Sequence, residues 1–167
     1  GEMGVVFKAK QLSLDRVVAL KVLPVEMNRD QEAVDRFLRE AKSAGKLQHP
    51  NIVQVYDIGE TGGLYYYSME FIEGRSLASI LPDQGPMDLQ EALRIGMQIA
   101  KALSHAHRYG VLHKDIRPES ILINEEGVAK LSDLGITQAK KSTQGAIAGL
   151  GVAGGTPAYL SPEQLAN

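Results

Sequence analysis

The spacing of apolar residues changes along the chain, and this change most restricts the fold. Residues 5–9 and 16–23 are β-branched and apolar runs separated by a short turn, which indicates an antiparallel pair of strands. Residues 30–47 instead carry apolar side chains at helical spacing. After Gly74 helical spacing dominates, and only short strand-like runs remain. This order predicts an α+β fold in two lobes with a cleft between them.

Further elements follow from local patterns. We expect strands at residues 52–58 and 64–72, and short strand-like runs at 111–112, 121–123 and 128–131. Ser76 is a candidate cap for a short helical turn. Asp88 is a candidate N-cap for a long helix that Gly110 ends. The stripes predicted to face the core are Ala33, Val34, Phe37, Leu38, Ala41 and Ala44 in the first helix, and Leu89, Leu93, Met97, Ala100 and Leu103 in the long helix.

Composition excludes several classes of protein. The chain has 167 residues and a formal net charge of -2, so it lacks the basic excess of a general nucleic-acid binder. It has no cysteine, which excludes thiolate catalysis, disulfides and cysteine-ligated zinc. No apolar run reaches about 18 residues, so we expect no membrane-spanning segment in this piece.

Two features of the first half concern phosphate and charge. Gly1 and Gly4, followed by Val6, match the rear half of a glycine-rich phosphate loop, although such a turn is also common without that role. Lys21 ends an apolar strand, so its stem should be half buried and its cation should need a partner. Glu40 is the candidate partner because it lies close to the apolar stripe of the following helix.

Two later segments concentrate ionisable residues. Residues 113–120 read HKDIRPES and place a base candidate, two cations and a metal-ligand candidate between apolar neighbours. Asp133 follows the next predicted hairpin, so it and Asp115 are expected to face one cleft, where carboxylates and nucleotide phosphates would suit magnesium. His49, His105 and His107 are interpreted as structural or surface residues, because no zinc-ligand arrangement stands out.

Together these motifs resemble the eukaryotic-type Ser/Thr protein kinases, most closely their bacterial branch. The matching elements, in chain order, are Gly1-x-x-Gly4-x-Val6, Val18-Ala-Leu-Lys21, Glu40, His49-Pro-Asn-Ile-Val53, Met69-Glu-Phe71, His113-Lys-Asp115, Asp133-Leu-Gly135 and Gly155-Thr-Pro-Ala-Tyr-Leu-Ser-Pro-Glu163. The resemblance implies a two-lobed kinase fold. Residues 1–72 would form part of the small antiparallel lobe with its single helix, and 73–167 part of the mainly helical large lobe.

The resemblance also implies the chemistry, which is transfer of the γ-phosphate of ATP, with Mg²⁺, to a Ser or Thr hydroxyl of a protein substrate. Lys21, paired with Glu40, would hold the α- and β-phosphates. Asp133 would bind magnesium, and Asp115 would accept or orient the proton of the acceptor hydroxyl.

A nucleotide pocket is implied in the same way. Val6, Ala19 and Leu122 would enclose the adenine, with Met69 as gatekeeper. The backbone from Glu70 to Ile72 would form hydrogen bonds at the hinge, and Gly1 and Gly4 would approach the phosphates. Residues 133–163 would be the activation segment, in which we expect a mobile loop over 137–155. There Ser142 and Thr143 are hypothetical phosphorylation sites, and Thr156 would help to shape the substrate site.

The sequence departs from the family pattern in the segment around Asp115. Lys114 replaces an Arg and would attract a phosphorylated loop only as a point charge. Arg117 replaces the usual Lys near the γ-phosphate and keeps its charge. Ser120 replaces the Asn that holds a second magnesium and braces the loop, and a hydroxyl is the weaker ligand. Leu134 for Phe is a mild change.

Two alternatives to an active kinase remain open at this point. A pseudokinase, a nucleotide-binding or scaffolding module of the same fold, is favoured by Ser120 and Arg117. A small-molecule phosphotransferase of related fold is disfavoured by the elements at 49–52 and 161–163.

Relative to the family, the first glycine and first strand of the small lobe and everything after Asn167 are lacking. We therefore interpret the chain as a fragment and expect it alone to be poorly stable, with little or no activity. The resemblance further implies a cytoplasmic kinase domain and allows dimerisation or a membrane anchor in a longer parent.

Overall fold

The computed structural model describes residues 4–134, 159 and 161–162. Its strands are β1 (Val5–Gln11), β2 (Arg16–Val22), β3 (Val55–Thr61), β4 (Leu64–Glu70), β5 (Gly74–Ser76), β6 (Ile121–Asn124) and β7 (Ala129–Leu131). Its α-helices are α1 (Gln31–Gly45), α2 (Leu77–Gln84) and α3 (Leu89–Arg108). Within these described residues, no helix is both long enough and apolar enough to cross a membrane.

The N-terminal part is an antiparallel sheet in the order β1-β2-β4-β3 with α1 against one face. The turn between β3 and β4 holds Gly62 and Gly63 at positive φ values of 56° and 78°, which glycine adopts without strain. The register places Lys21 of β2 opposite Val6 on one side and Tyr67 on the other. Strand alternation therefore brings charged and aromatic side chains to the face that α1 covers.

Helix α1 confirms the predicted start and face. Asp30 caps it by accepting hydrogen bonds from the backbone N–H groups of Glu32 and Ala33. Every residue of the predicted stripe is buried except Leu38, which is half-buried. Glu40 is also buried, at 2% exposure, so this helix carries one carboxylate into the core.

The segment after α1 joins the two parts of the molecule. Ile52 forms a parallel bridge with Leu131 of β7. The side-chain amide of Asn51 donates to the carbonyl of Ala129 at 2.8 Å and to the Gln98 side chain of α3 at 2.8 Å. This segment thus lies against the second sheet, ordered β5-β6-β7, and against α3.

The predicted face of α3 is wrong. Leu89, Leu93 and Met97 are 60–71% exposed, Ala100 is exposed and Leu103 is only partly buried. The buried residues are instead Ile95, Ile99, Ala102 and Ala106. Both sides of the helix carry apolar residues at helical spacing, so the period alone does not decide which one faces the core. Contact with β7 and with the segment around Asn51 selects the isoleucine side.

Several predicted boundaries also shift. Residues 111–112 are not a strand, the strand predicted at 52–58 is β3 and begins at Val55, and the strand predicted to end at 72 is β4 and ends at Glu70. Ser76 caps a helix as predicted, but α2 continues to Gln84, and β5 was not predicted. The boundary at residue 72 lies between β4 and β5 and stays a prediction. The loop predicted at 137–155 lies outside the described residues.

Candidate active site

A buried cation between two carboxylates is the centre of the site. Lys21 Nζ lies 3.2 Å from Glu40 Oε1 and 3.0 Å from Asp133 Oδ1. Lys21 and Glu40 are 5% and 2% exposed, whereas the Asp133 side chain is 37% exposed. The sheet supplies the cation, α1 supplies one carboxylate, and the residue two positions after β7 supplies the other. The predicted Lys21–Glu40 pair is therefore present, and Asp133 reaches the same ammonium group.

Charge pairing and burial act against each other in this cluster. Burial acts to lower the pKa of Lys21, but the carboxylates of Asp133 and Glu40 outweigh it, so the pKa is raised and the ammonium form is held. Burial likewise acts to raise the pKa of Asp133, but Lys21 outweighs it and the pKa is lowered. For Glu40, burial prevails over the attraction of Lys21, and the pKa is raised.

Tyr67 contacts the same cluster, although sequence analysis did not single it out. Its side chain is 3% exposed, and its hydroxyl donates to Glu40 Oε1 at 3.0 Å. Its ring packs against Phe37 with centroids 5.0 Å apart. Glu40 Oε1 thus accepts from both Lys21 and Tyr67, while Glu40 Oε2 has no hydrogen-bond partner among the described residues.

Asp133 is held in an unusual backbone conformation. Its φ is 58°, in the left-handed region that a residue other than glycine rarely adopts. The Ser132 hydroxyl lies 3.0 Å from Asp133 Oδ2 and 3.2 Å from the carbonyl oxygen of Ser120, so it links Asp133 to the preceding loop. Lys21 contacts Oδ1 of this carboxylate and Ser132 contacts Oδ2, so the two contacts together fix its orientation.

His113 braces the loop that carries Asp115. The imidazole is 2% exposed, with Nε2 2.9 Å from the carbonyl of Ser132, and the backbone N–H of Asp115 donates to Nδ1 at 3.3 Å. This pattern assigns the Nε2–H tautomer, a neutral ring. Burial lowers the pKa of His113, opposed only in part by the Ser132 carbonyl.

Asp115, Arg117 and Ser120 lie together in this loop. Arg117 Nε is 3.4 Å from Asp115 Oδ2 and 3.8 Å from Glu119 Oε2. Ser120 is 3% exposed, and its hydroxyl bonds to the backbone of Arg117, 2.8 Å from its carbonyl and 3.1 Å from its nitrogen. Ser120 therefore braces its own loop here, while its predicted role as a metal ligand stays a prediction.

The residues predicted to surround a nucleotide occupy both parts of the fold. Gly4 has φ 145°, and an added Cβ would lie 2.7 Å from the carbonyl oxygen of Val22, so a side chain would not fit. Val6 is 53% exposed on β1, and Ala19 and Met69 are directly paired between β2 and β4. Leu122 lies on β6, half-buried. Their roles toward a nucleotide stay predictions.

The hinge prediction becomes narrower. The backbone N–H of Glu70 donates to the carbonyl of Gln54 at 2.8 Å, so this group is already used within the protein. The Glu70 carboxylate pairs with Lys130 of β7 at 2.7 Å. The hydrogen bonds predicted between the backbone from Glu70 to Ile72 and a nucleotide stay predictions.

Other predicted site residues lie outside the described part of the chain. They are Gly1, Gly135, Ser142, Thr143, Thr156 and Glu163. The proposals for phosphorylation and for the activation segment therefore stay predictions.

Comparison with known proteins defines the family. A model of the protein kinase domain matches residues 1–167, the whole chain. Serine/threonine-protein kinase PrkC of Bacillus subtilis is 44% identical over 164 residues, which cover 98% of this chain and 25% of PrkC. Serine/threonine-protein kinase pkn3 of Myxococcus xanthus is 43% identical over 171 residues, with coverage of 98% and 31%. The chain belongs to the protein kinase family.

A solved structure supports the same conclusion for the fold. The PknI kinase domain of Mycobacterium tuberculosis matches with a TM-score of 0.72 and 33% identity, over 83% of this chain and 55% of that chain. This confirms the predicted α+β, kinase-like fold. The chain spans less than a third of the length of the two curated relatives and about half of the solved kinase domain.

Sequence reasoning missed three contributors to the site: Tyr67, Ser132 and Lys130. For Tyr67 a signal existed, because it lies two residues before Met69 on one predicted strand, and side chains two apart share a face. No such signal existed for Ser132 and Lys130, since their contacts depend on how β7 approaches the loop of Ser120 and the end of β4.

Proposed function

We propose that the protein containing this chain is an ATP- and Mg²⁺-dependent Ser/Thr protein kinase. The observation that carries the proposal is the cluster in which Lys21 contacts both Glu40 and Asp133, three residues from distant parts of the sequence. Burying the Lys21 cation costs free energy through desolvation, and close pairing with the two carboxylates offsets that cost. The family and its named relatives support the same chemistry.

The residues of the chain have distinct tasks in this proposal. Lys21 offers a fixed positive charge to nucleotide phosphates, because the pKa shift keeps it protonated and Glu40 restrains its position. Asp115 accepts or orients the proton of the acceptor hydroxyl. Arg117 lies 3.4 Å from Asp115 and adds positive charge where a transferring phosphoryl group needs it. The rate gain then comes from positioning and from charge neutralisation.

The donor set fits ATP and Mg²⁺. Asp133 is a partly exposed carboxylate with a lowered pKa, so it is ionised at neutral pH, as a magnesium ligand must be. Bound Mg²⁺ neutralises phosphate charge, and ATP supplies the phosphoryl group. Asp133 would hold the metal, Lys21 the phosphates and the backbone of residues 70–72 the adenine. A second metal ligand at Ser120 is the weakest part of the set.

The test is transfer of label from ATP labelled at the γ-phosphate, using the natural full-length protein and magnesium. The proposal predicts labelled phosphoserine or phosphothreonine, lost in Asp133→Asn. Label on tyrosine alone, or none in a folded protein that binds MgATP, would contradict it.

A pseudokinase is the second candidate, favoured by the engagement of the Ser120 hydroxyl with the Arg117 backbone. Restoring the family residue with Ser120→Asn distinguishes the two. A large gain in transfer would mean that Ser120 limits catalysis and would favour the pseudokinase. An unchanged rate would mean that Ser120 is not limiting.

The protein substrate, dimerisation of a longer parent and a cytoplasmic location rest on the family resemblance and are proposed on that basis.

A further inference from the structure

The Glu40 carboxylate is oriented through a single oxygen. Oε1 accepts from Lys21 at 3.2 Å and from the Tyr67 hydroxyl at 3.0 Å. Oε2 is buried and has no hydrogen-bond partner among the described residues. A carboxylate bonded only to Lys21 could rotate or follow the ammonium group. Within the described part of the chain, the hydrogen bond from Tyr67 is therefore the restraint on Oε1 that does not depend on where Lys21 points.

Tyr67 is itself fixed on three sides. Its backbone pairs with Lys21 across β2 and β4, its ring packs against Phe37 of α1, and its side chain is 3% exposed. Lys21 Nζ lies 5.6 Å from the ring centroid, within the range of a cation–π contact. The phenol thus joins the sheet to α1 at the point where the cation is held.

Lys21 also has a second carboxylate partner. Asp133 Oδ1 lies 3.0 Å from Nζ, slightly nearer than Glu40 Oε1 at 3.2 Å. In the proposed function Asp133 would hold Mg²⁺, and Glu40 on α1 would then be the carboxylate that keeps Lys21 in position. The hydrogen bond from Tyr67 would keep the Glu40 carboxylate in place while Asp133 holds the metal.

We propose that Tyr67 is a positioning residue for the nucleotide site, whose hydroxyl holds the Glu40 carboxylate against Lys21. This inference rests on the proposed function, since it assigns Tyr67 a role at the same site.

The test compares Tyr67→Phe with a matched control in the natural full-length protein. Phe keeps the ring and its packing on Phe37, so only the hydroxyl is lost. Tyr65→Phe is the control, because Tyr65 lies on the same face of β4, is half-buried, and its hydroxyl makes no hydrogen bond within the described residues. We expect Y67F to lower kcat/KM for MgATP about tenfold, the scale of a hydrogen bond to a charged group, and Y65F to leave it unchanged.

A pH profile separates positioning from packing. Burial is the main cause of the raised pKa of Glu40, and the Tyr67 hydrogen bond opposes it, so removing the hydroxyl raises that pKa further. The acid limb of kcat/KM should therefore move to higher pH in Y67F than in Y65F, because a protonated Glu40 no longer attracts Lys21. The other charged groups around Glu40 are unchanged in both variants: Lys21, Asp133 and, around an adjoining cavity, Arg36, Arg39 and Lys114.

The outcomes distinguish this inference from the proposed function. A natural protein that transfers phosphate, with Y67F and Y65F alike in rate and in acid limb, overturns the role of Tyr67 and leaves the kinase proposal intact. A natural protein that binds MgATP but transfers nothing overturns the kinase proposal. The role of Tyr67 is then read from the MgATP dissociation constant, which should rise about fivefold in Y67F alone. Equal constants in the three proteins would overturn it.

Discussion

At the residue scale, the site depends on a few groups whose charge or tautomer is set by burial. Lys21 stays protonated because two carboxylates outweigh its desolvation. The pKa of His113 is lowered because its burial outweighs the Ser132 carbonyl and the carboxylates of Asp133 and Asp115. Motif spacing predicted both residues. It did not predict the pKa shifts, because these depend on neighbours such as Asp133 and Ser132 that approach from β7.

Removing the cation should destabilise the fold, because it leaves a carboxylate buried without a counter-charge. We expect Lys21→Met to lower the free energy of unfolding by about 3 kcal/mol. The double variant Lys21→Met/Glu40→Gln should regain part of that loss, since the remaining buried group is neutral. Denaturant unfolding of the three proteins measures this. A double variant less stable than K21M would contradict the assigned pairing.

The neutral state of His113 should make stability depend on pH. Its folded-state pKa is lowered, so its contribution is fully present above the unfolded pKa of about 6.5 and is lost as pH falls toward the folded value. The free energy of unfolding should fall below that pH by at most about 1.4 kcal/mol per pH unit for one proton.

Two variants test whether His113 causes this pH dependence of the free energy of unfolding. His113→Gln should be less stable at pH 7.5 but should show a shallower decline on acidification. His107→Gln, at an exposed position on α3, should retain the slope of the natural protein. Equal slopes in all three proteins would contradict the role of His113.

At the element scale, the helical spacing of apolar residues and the capping residues predicted where the helices lie. They predicted less well which side of a helix is buried. Ser76 and Asp88 cap α2 and α3 as expected, because a cap is a local contact. Asp30 also caps α1, at the start of the segment predicted to be helical. The face of α3 was predicted wrongly because apolar side chains occupy both sides, and only the approach of β7 and Asn51 selects one. The strand β5 was not predicted because its partner β6 lies far along the sequence.

Asn51 should be a structural link between elements that the sequence separates. Its amide donates to the carbonyl of Ala129 and to the Gln98 side chain, and it is 7% exposed. Asn51→Ala should lower the free energy of unfolding by about 2 kcal/mol, because it leaves a buried carbonyl without a donor.

Gln48→Ala is the control for this prediction, since Gln48 is exposed in the same segment, and it should change stability by less than about 0.5 kcal/mol. Losses of similar size in the two variants would show that Asn51 does not join β7 to α3.

At the scale of the whole molecule, charged contacts connect the two parts of the fold. Besides Lys21 with Asp133, Lys130 of β7 pairs with Glu70 at the end of β4. Each contact joins a strand of the N-terminal sheet to residues 130–133, at β7 and just after it. They hold the N-terminal sheet and the loop of Asp115 at a defined distance, which the proposed transfer requires.

The Lys130–Glu70 pair should contribute measurable coupling because it is partly buried, with side-chain exposures of 15% and 26%. A double-mutant cycle of Lys130→Met and Glu70→Gln should give a coupling free energy of about 1 kcal/mol. The exposed pair of Lys10 and Asp15, at 58% and 82%, should give a value near zero under the same conditions. Equal coupling in the two cycles would contradict the proposed difference.

In the proposed function this site transfers phosphate, with Asp115 acting on the acceptor hydroxyl. Its most direct test is the single-turnover rate of phosphate transfer to a Ser- or Thr-containing protein, for the natural full-length protein and for Asp115→Asn. We expect a rate at least about 100-fold lower in the variant, with the MgATP dissociation constant unchanged within about twofold. Equal rates in the two proteins, or no transfer by a natural protein that binds MgATP, would contradict it.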